Sequence, residues 1–259
     1  MKIFHKFFLP CAILLGCLAF WEIGVRWAEI PSYTLPTPSV IAKTLISNWP
    51  TLASSWWFTV KITLGALILA CLGGVAIASV FSLSPTLERA FFPLAVVLQV
   101  TPIVAVAPLI LIYVDGTTAA LLLCTWIVAF FPILSNTVIG LRATDKNLVD
   151  LFQLCGANRW QRLTLLRAPT ALPYFLAGLK ISGGLSLIGA VTAEMVAGAA
   201  GRETGLASRI LEASFRTETP KMFAALTLLV FTGILIFLLF NLLSIFLLRR
   251  WHDAARLDD

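Results

Sequence analysis

The chain has 259 residues, of which 59% are hydrophobic and only 12% are charged, and its net charge is +6. Soluble domains carry about 25% charged residues, so this composition excludes a soluble globular protein and is typical of an integral membrane protein. A nucleic-acid-binding function would need a basic face on a folded soluble domain, which the sequence does not offer. We therefore predict an all-α membrane protein.

Six apolar segments are long enough to cross a bilayer, which takes about 20 residues. They are residues 7–27, 60–82, 90–113, 118–140, 172–198 and 223–248. If the N-terminus lies inside, the inner segments carry more Lys and Arg than the outer ones. The positive-inside rule then predicts that both termini are cytoplasmic.

The first span carries a charged pair, Glu22 and Arg26, whose spacing of four residues allows them to pair on one helix face. After it, Pro36 and Pro38 begin a segment with a short amphipathic helix, which ends before Pro50 and is suited to the outer interface. This region is predicted to lie on the outer membrane surface.

The second and third spans differ in pattern. Small residues recur every four positions in the second span and predict a close approach of helices; they are Ala66, Ala70, Gly74, Ala78 and Ser82. The third span contains Pro93, Pro102 and Pro108, so we expect it to be kinked or partly unwound.

A polar, basic stretch from Arg142 to Pro173, which we call the basic element, separates the fourth span from the fifth. Residues 146–153 predict one helix, Gly156 a break, and residues 157–167 a second helix. Pro169 is expected to stop this second helix, and Pro169 and Pro173 are then expected to open the fifth span. The second helix is predicted to have an apolar side with Cys155, Trp160, Leu163 and Leu166, and a basic side with Arg159, Arg162 and Arg167. Two interpretations stay open: an interfacial loop, or a coupling helix that docks on a cytoplasmic partner.

The fifth span has a second stripe of residues at intervals of four, Gly178, Ser182, Ser186, Ala190, Glu194 and Gly198. A carboxylate inside a span usually faces a cavity or a partner, so Glu194 either lines a pathway or pairs with an arginine of residues 199–221. Lys180 either extends to the inner face or contacts solute. The candidate pathway residues are Glu194, Lys180, Gln99 and Ser186. Arg249 and Arg250 are expected to end the sixth span.

The sequence lacks the residues of an enzyme. The two histidines lie near the chain ends, the five cysteines are scattered, and no G-x-x-x-x-G-K-[ST] phosphate loop is present. If ATP drives this protein, another subunit must bind the ATP.

Part of the basic element resembles the cytoplasmic loop of type I ABC importer permeases, E-A-A-x3-G-x9-I-x-L-P. It aligns as Asp150-Leu151-Phe152, three residues, Gly156, nine residues and Leu166-Arg167-Ala168-Pro169, with departures at Leu151, Phe152 and Ala168. The other matching motifs are Leu35-Pro36-Thr37-Pro38-Ser39, Thr101-Pro102, Ala107-Pro108-Leu109, Phe131-Pro132, Gly140-Leu141-Arg142, Ala171-Leu172-Pro173, Gly178-Leu179-Lys180 and Ala193-Glu194. Together they resemble the nitrate/sulfonate/taurine-type permeases, a group that includes permeases for riboflavin and pyrimidine precursors.

The resemblance implies a homodimer of permease chains, an ATP-binding ABC subunit and an extracytoplasmic solute-binding protein. This chain would bind no cofactor itself, since ATP and Mg would lie on the ATPase. The residues implied in ATPase coupling are Asp150, Gly156, Ala157, Asn158, Arg159, Trp160, Arg162 and Pro169. The implied location is the bacterial cytoplasmic (inner) membrane, where lipid surrounds the spans.

We thus predict a first transmembrane helix with an outer amphipathic segment in residues 1–55. An ABC type-1 transmembrane domain follows in residues 56–250, with coupling helices between helices four and five, and a cytoplasmic tail in residues 251–259. The expected function is import of a small anion (sulfonate, taurine or nitrate) or of a vitamin or pyrimidine precursor. The alternatives are a self-sufficient secondary transporter and a structural membrane subunit.

Overall fold

The computed structural model describes residues 2–198 and 204–248, and every regular element in these ranges is helical. The helices are α1 (Lys2–Trp27), α2 (Pro38–Ser47), α3 (Trp49–Leu83), α4 (Pro85–Val100), α5 (Ile103–Tyr113), α6 (Thr117–Arg142), α7 (Lys146–Leu154), α8 (Arg159–Arg162), α9 (Ala168–Ala197), α10 (Leu206–Phe215) and α11 (Thr219–Leu248). A π-helical turn, Leu163–Arg167, joins α8 to α9. The all-α prediction is confirmed for these residues.

Four helical segments are long and apolar enough to cross a membrane: α3, α6, α11 and the continuous run Arg159–Ala197. The pair α4 and α5 passes the same test together, although the chain bends by 100° between them. Within the described ranges this supports four spans, or five if the bent pair is one span. The first predicted span coincides with α1, but the count of six is not confirmed.

The predicted distortion of the third span is found at Pro102. Thr101 and Pro102 are both extended, between the end of α4 and the start of α5. The residue before a proline is disfavoured in helical conformation, which accounts for the break. Pro93 and Pro108 remain inside helices.

Two helix boundaries differ from the sequence prediction. α3 starts at Trp49, well before the predicted residue 60, because Pro50 lies in the first turn, where its missing N–H costs nothing. The second helix of the basic element starts at Arg159 and does not end at Pro169, so the predicted proline stop is wrong. A π turn, Leu163–Arg167, comes directly before Ala168 and Pro169, so the helix changes its hydrogen-bond register before the proline and does not stop there.

The described residues fall into two compact units. One comprises those of Met1–Phe58 and Gly198–Val230, and the other those of Thr59–Ala197 and Phe231–Asp259. Several predictions concern residues outside the described ranges, namely residues 199–203 of the segment after the fifth span, Arg249, Arg250 and the tail 251–259.

In the first unit, a partly exposed hydrogen-bond network ties α1 to α2. Arg26 Nε donates to Glu22 at 2.7 Å, which confirms the predicted pair. The other Glu22 oxygen accepts from the backbone N–H of Ser39 at 2.9 Å. Elsewhere in this unit Glu212 pairs with Arg209 at 2.8 Å and Arg216 at 3.0 Å. The hydrogen bond from Arg209 lowers the pKa of the Glu212 carboxyl, against a smaller opposing effect of burial.

In the second unit, the core is the contact between α6 and α9. A Cβ on Gly178 would lie 2.7 Å from the carbonyl oxygen of Pro132, so the backbones of the two helices touch there. Four residues later Ser182 Oγ donates to the carbonyl of Ala129 at 2.7 Å. The small-residue stripe of the fifth span therefore packs closely, as predicted.

The stripe of the second span is buried in the same unit. Ala66, Ala70 and Ala78 of α3 are fully buried, and a Cβ on Gly74 would lie 2.8 Å from Ile133 Cγ2 of α6. Close packing of these two helices follows from the small residues on α3.

Candidate coupling site and pathway residues

The basic element begins with a helix whose ends are fixed by local hydrogen bonds. Asp145 caps α7 by accepting from the backbone N–H of Asn147 at 2.8 Å. A side-chain oxygen at this position satisfies one of the donors that a helix start leaves without a partner. The predicted first helix, residues 146–153, is confirmed as Lys146–Leu154.

Gly156 ends this helix as predicted. Its φ is +74°, in the left-handed region that favours glycine. The N–H of Ala157 donates to Phe152 O at 2.9 Å, and the N–H of Gly156 donates to Gln153 O at 2.9 Å. These two bonds form a Schellman motif, which turns the chain sharply after α7.

The second helix starts with a capping box. Asn158 accepts from the N–H of Gln161 at 2.8 Å, and the Gln161 side chain accepts from the N–H of Asn158 at 2.8 Å. The predicted coupling residues Ala157 and Asn158 thus form the connection between the two helices.

Two arginines of the basic element reach the C-terminal end of α3. Arg167 Nη1 donates to the carbonyl and the hydroxyl of Ser82, at 2.9 Å and 2.8 Å. Arg159 Nη1 makes a longer contact of 3.5 Å with Leu83 O. Positive groups are favourable there, because the end of a helix leaves carbonyls unpaired and carries partial negative charge. The basic element is therefore attached to α3 as well as continuous with α9.

Asp150 lines a cavity of about 370 Å³ between the basic element and the ends of α3, α4 and α6. Lys146, Arg142 and Arg167 share this cavity with it. Glu88 at the start of α4 forms an ion pair of 2.5 Å with Arg142 across the same space. The cavity thus joins acidic and basic groups from α4, α6, α7 and the π turn.

Several side chains of the basic element are directed away from this unit. Trp160 is 64% exposed and Leu154 is 87% exposed, whereas Leu163 and Leu166 are buried. The prediction of one shared apolar side is therefore wrong: the π turn rotates Leu163 and Leu166 towards the interior and leaves Trp160 and Cys155 outside. Pro169 and Arg159 are also exposed, and Arg162 is half-buried.

The three candidate pathway residues of α9 all form hydrogen bonds within the second unit. Glu194 is only 1% exposed and accepts from Thr59 Oγ1 at 2.8 Å. Lys180 is half-buried, and its Nζ donates to Asn241 Oδ1 of α11 at 3.0 Å. Ser186 is fully buried and donates to Gly183 O at 2.9 Å.

Gln99 has a different setting. It is exposed at the end of α4 and lines a separate cavity at the bend before α5. The structure thus gives Gln99 surroundings distinct from those of Glu194, Lys180 and Ser186.

Some partners of these residues were not identified from the sequence. They are Thr59 for Glu194, Asn241 for Lys180, Ser82 for Arg167 and Glu88 for Arg142. Each pair joins residues far apart in the chain, so no local spacing could reveal it. The acidic Glu88, two residues before the predicted inner end of the third span, was a signal in the sequence for such a search.

Comparison with known proteins identifies close relatives over most of the chain. The family model described as binding-protein-dependent transport system inner membrane component matches residues 70–256. A riboflavin transport system permease protein of Chloroflexus aurantiacus is 34% identical over 95% of this chain and 90% of its own length. A formylaminopyrimidine transport permease protein of Halalkalibacterium halodurans is 32% identical over 91% of this chain and 92% of its own length.

A sulfonate relative and a solved structure extend this comparison. A putative aliphatic sulfonates transport permease protein of Bacillus subtilis is 27% identical over 87% of this chain and 79% of its own length. A crystal structure of an amino acid ABC transporter with histidines has the same fold, with a TM-score of 0.60 and 16% sequence identity. It covers 80% of this chain and 96% of the solved one.

Proposed function

Because the chain belongs to the family of binding-protein-dependent transport system inner membrane components, we propose that it is the permease subunit of an ATP-driven solute importer. Its relatives are ABC transport permeases, and members of this family normally work with an ATPase and a binding protein. In this proposal two copies of the chain form the pathway, and a separate ATPase hydrolyses the ATP. Each copy crosses the bacterial inner membrane six times, with α1 as the first span and both termini in the cytoplasm.

The basic element is the proposed docking site for the ATPase, and the observation that carries this proposal is its exposed surface. Trp160 and Leu154 present apolar side chains outward, beside the basic Arg159 and the acidic Asp150. An exposed apolar group surrounded by charges is typical of an interface centre. The local caps hold the backbone in place without using the side chains of Trp160 and Leu154, so these two are available to a partner.

The attachment of Arg167 to Ser82 gives a route by which docking would move the spans. Movement of the basic element would act on α9 through the continuous helix and on α3 through the guanidinium hydrogen bonds. Shifts of packed helices of this kind accompany many switching transitions. ATP-driven closure of the ATPase would thereby open the pathway to the other side.

The proposed solute is either a small anion, such as a sulfonate, taurine or nitrate, or a vitamin or pyrimidine precursor. The chain matches relatives named for riboflavin and formylaminopyrimidine transport as well as one named for sulfonate transport. The binding protein would supply most of the selection between them.

Charge reversal at Asp150 tests the proposed coupling. The complex of this chain with its ATPase is purified, and ATP hydrolysis and solute uptake are measured in the same proteoliposomes. Asp150→Lys should release the ATPase or leave hydrolysis that no longer drives uptake. Asp115→Lys makes the same change at an exposed position between α5 and α6 and should keep normal uptake. Normal coupled uptake by Asp150→Lys would contradict the docking role.

A further inference from the structure

A second cavity, of about 250 Å³, lies where the chain bends by 100° between α4 and α5. The bend contributes Leu98, Gln99 and Thr101, while α6 and α9 contribute apolar residues that include Val128, Pro132 and Leu185. The residues from α6 and α9 are buried or half-buried, whereas Gln99 and Leu98 are exposed. The cavity therefore has an apolar floor and a polar rim that a ligand can reach.

Broken helices are tolerated at membrane depth only where they are buried in protein or line a cavity. Here the break also frees polar groups, because Pro102 has no N–H to donate to the carbonyl of Leu98. Thr101 Oγ1 donates to Val97 O at 2.7 Å, which leaves its lone pairs able to accept a hydrogen bond. The Gln99 amide adds both donors and an acceptor.

None of the described side chains that line this cavity is ionisable. The charged residues of the neighbouring α9 do not line it either: Lys180 binds Asn241, and Glu194 binds Thr59. A sulfonate or nitrate that entered would lose water and would meet no ionised side chain, only the partial positive charge at the start of α5, which does not replace a full counter-charge. An uncharged ligand with hydrogen-bonding edges would lose much less.

We infer that this cavity is a solute site for a small uncharged heterocycle of about one ring, such as an aminopyrimidine, and not for an anion. Its volume holds about eight water molecules at about 30 Å³ each, which suits a substituted single ring. The flat ring would lie on the apolar floor, and its nitrogen and amino edge would meet Gln99 and Thr101. This inference rests on the proposed import function and selects between its two solute classes.

Direct binding to the permease tests this inference. The full complex with the ATPase is placed in lipid nanodiscs without the binding protein, and equilibrium binding is measured with two probes. One probe is the neutral 4-amino-5-hydroxymethyl-2-methylpyrimidine, and the other is isethionate, a sulfonate of similar size. Saturable binding of the pyrimidine and none of isethionate is expected. Tighter binding of isethionate, or no binding of the pyrimidine, would overturn the inference.

Two variants locate the bound probe. Gln99→Leu removes the amide and should weaken pyrimidine binding about tenfold, whereas Tyr113→Phe, which removes an exposed polar group at the other end of α5, should not. Leu98→Lys places a cation at the rim and should weaken pyrimidine binding while allowing isethionate to bind. Size-exclusion profiles confirm that each variant is assembled. Unchanged pyrimidine binding in assembled Gln99→Leu would overturn the assignment.

The failure of this inference is distinguishable from failure of the proposed function. A complex that accumulates isethionate at the expense of ATP, with Gln99→Leu fully active, keeps the import function and overturns the neutral solute site. A chain that never associates with an ATPase overturns the import function, whatever binds at the bend.

Discussion

Gly178 in the α6–α9 core and Gly156 in the basic element are both glycines for structural reasons, but the reasons are opposite. At Gly178 a Cβ would lie 2.7 Å from Pro132 O of the facing helix, while the backbone itself is ordinary α-helix. At Gly156 no atom lies within 4 Å of a Cβ position, but the φ of +74° disfavours any other residue. The core is thus fixed by contacts between distant segments, whereas the turn at Gly156, between the two helices of the basic element, is fixed by local hydrogen bonds and caps.

This difference separates a region that supports the fold from a region whose side chains can contact a partner. A region held by long-range packing tolerates almost no added volume, and its side chains are already used. A region held by local caps keeps its outward side chains available, as with Trp160 and Leu154. Substitutions in the two regions should therefore fail in different ways, in folding for the first and in coupling for the second.

The largest effect is expected from Gly178→Leu. The added side chain would force α6 and α9 apart, and overpacking of this kind typically costs about 1–3 kcal/mol or more. The yield of monodisperse protein in detergent size-exclusion chromatography should fall strongly. Gly184→Leu, in the same helix but with open space around the Cβ position, is the control and should fold normally. Equal yields of the two variants would show that the α6–α9 contact is looser than described.

Gly156→Val should leave folding intact and impair coupling. A β-branched residue at positive φ costs about 1–2 kcal/mol, and here that cost falls on one turn outside the core. The protein should fold and insert, but uptake per ATP hydrolysed in proteoliposomes should fall sharply. Gly156→Asn is the control, since asparagine tolerates the left-handed region and should retain most coupling. If valine and asparagine behave alike, the turn is not the pivot of the basic element.

Arg167→Gln should have an intermediate effect. It removes hydrogen bonds to Ser82 made by a charged donor, which are worth about 1.5–3 kcal/mol each. The ATPase should still copurify, because the outward surface is unchanged, but uptake should fall more than hydrolysis. Arg89→Gln makes the same change at an exposed arginine of α4 and should leave both rates unchanged. Loss of ATPase binding in Arg167→Gln would mean that this side chain serves docking and not the link to α3.

Glu194→Gln should have the smallest effect on assembly. Glutamine keeps an oxygen that can accept from Thr59 Oγ1, so the buried hydrogen bond is retained while the charge is lost. Assembly should be preserved, and the rate of solute uptake should change if the charge serves the pathway or a gate. Thr59→Val is the companion variant, since it removes the donor and leaves the carboxylate. Unchanged uptake in Glu194→Gln would assign the residue to packing alone.

The sequence was sufficient for features that depend on short-range chemistry. The helix from Lys146, the break at Gly156, the Glu22–Arg26 pair and the distortion at Pro102 all follow from spacing and backbone preference. The stripe containing Gly178 and Ser182 also predicted a close helix contact. These features need no knowledge of what lies opposite in space.

Features that depend on distant segments were not predictable. Ser82 and Arg167 are 85 residues apart, and the local sequence around either residue does not indicate that the two are in contact. The π turn at Leu163–Arg167 was missed for a similar reason, since proline rules describe an ordinary helix and predict a stop at Pro169. The cavity at the α4–α5 bend required the positions of four helices, although Gln99 itself was noted.

The central claim is that this chain moves solute only when coupled to a separate ATPase. The most direct measurement is solute accumulation in proteoliposomes that contain this chain, with the ATPase and the solute-loaded binding protein added or omitted in turn. The account predicts accumulation only when all three proteins and ATP are present, and none driven by a proton or sodium gradient. Accumulation by this chain alone under an ion gradient would contradict the account and identify a secondary transporter.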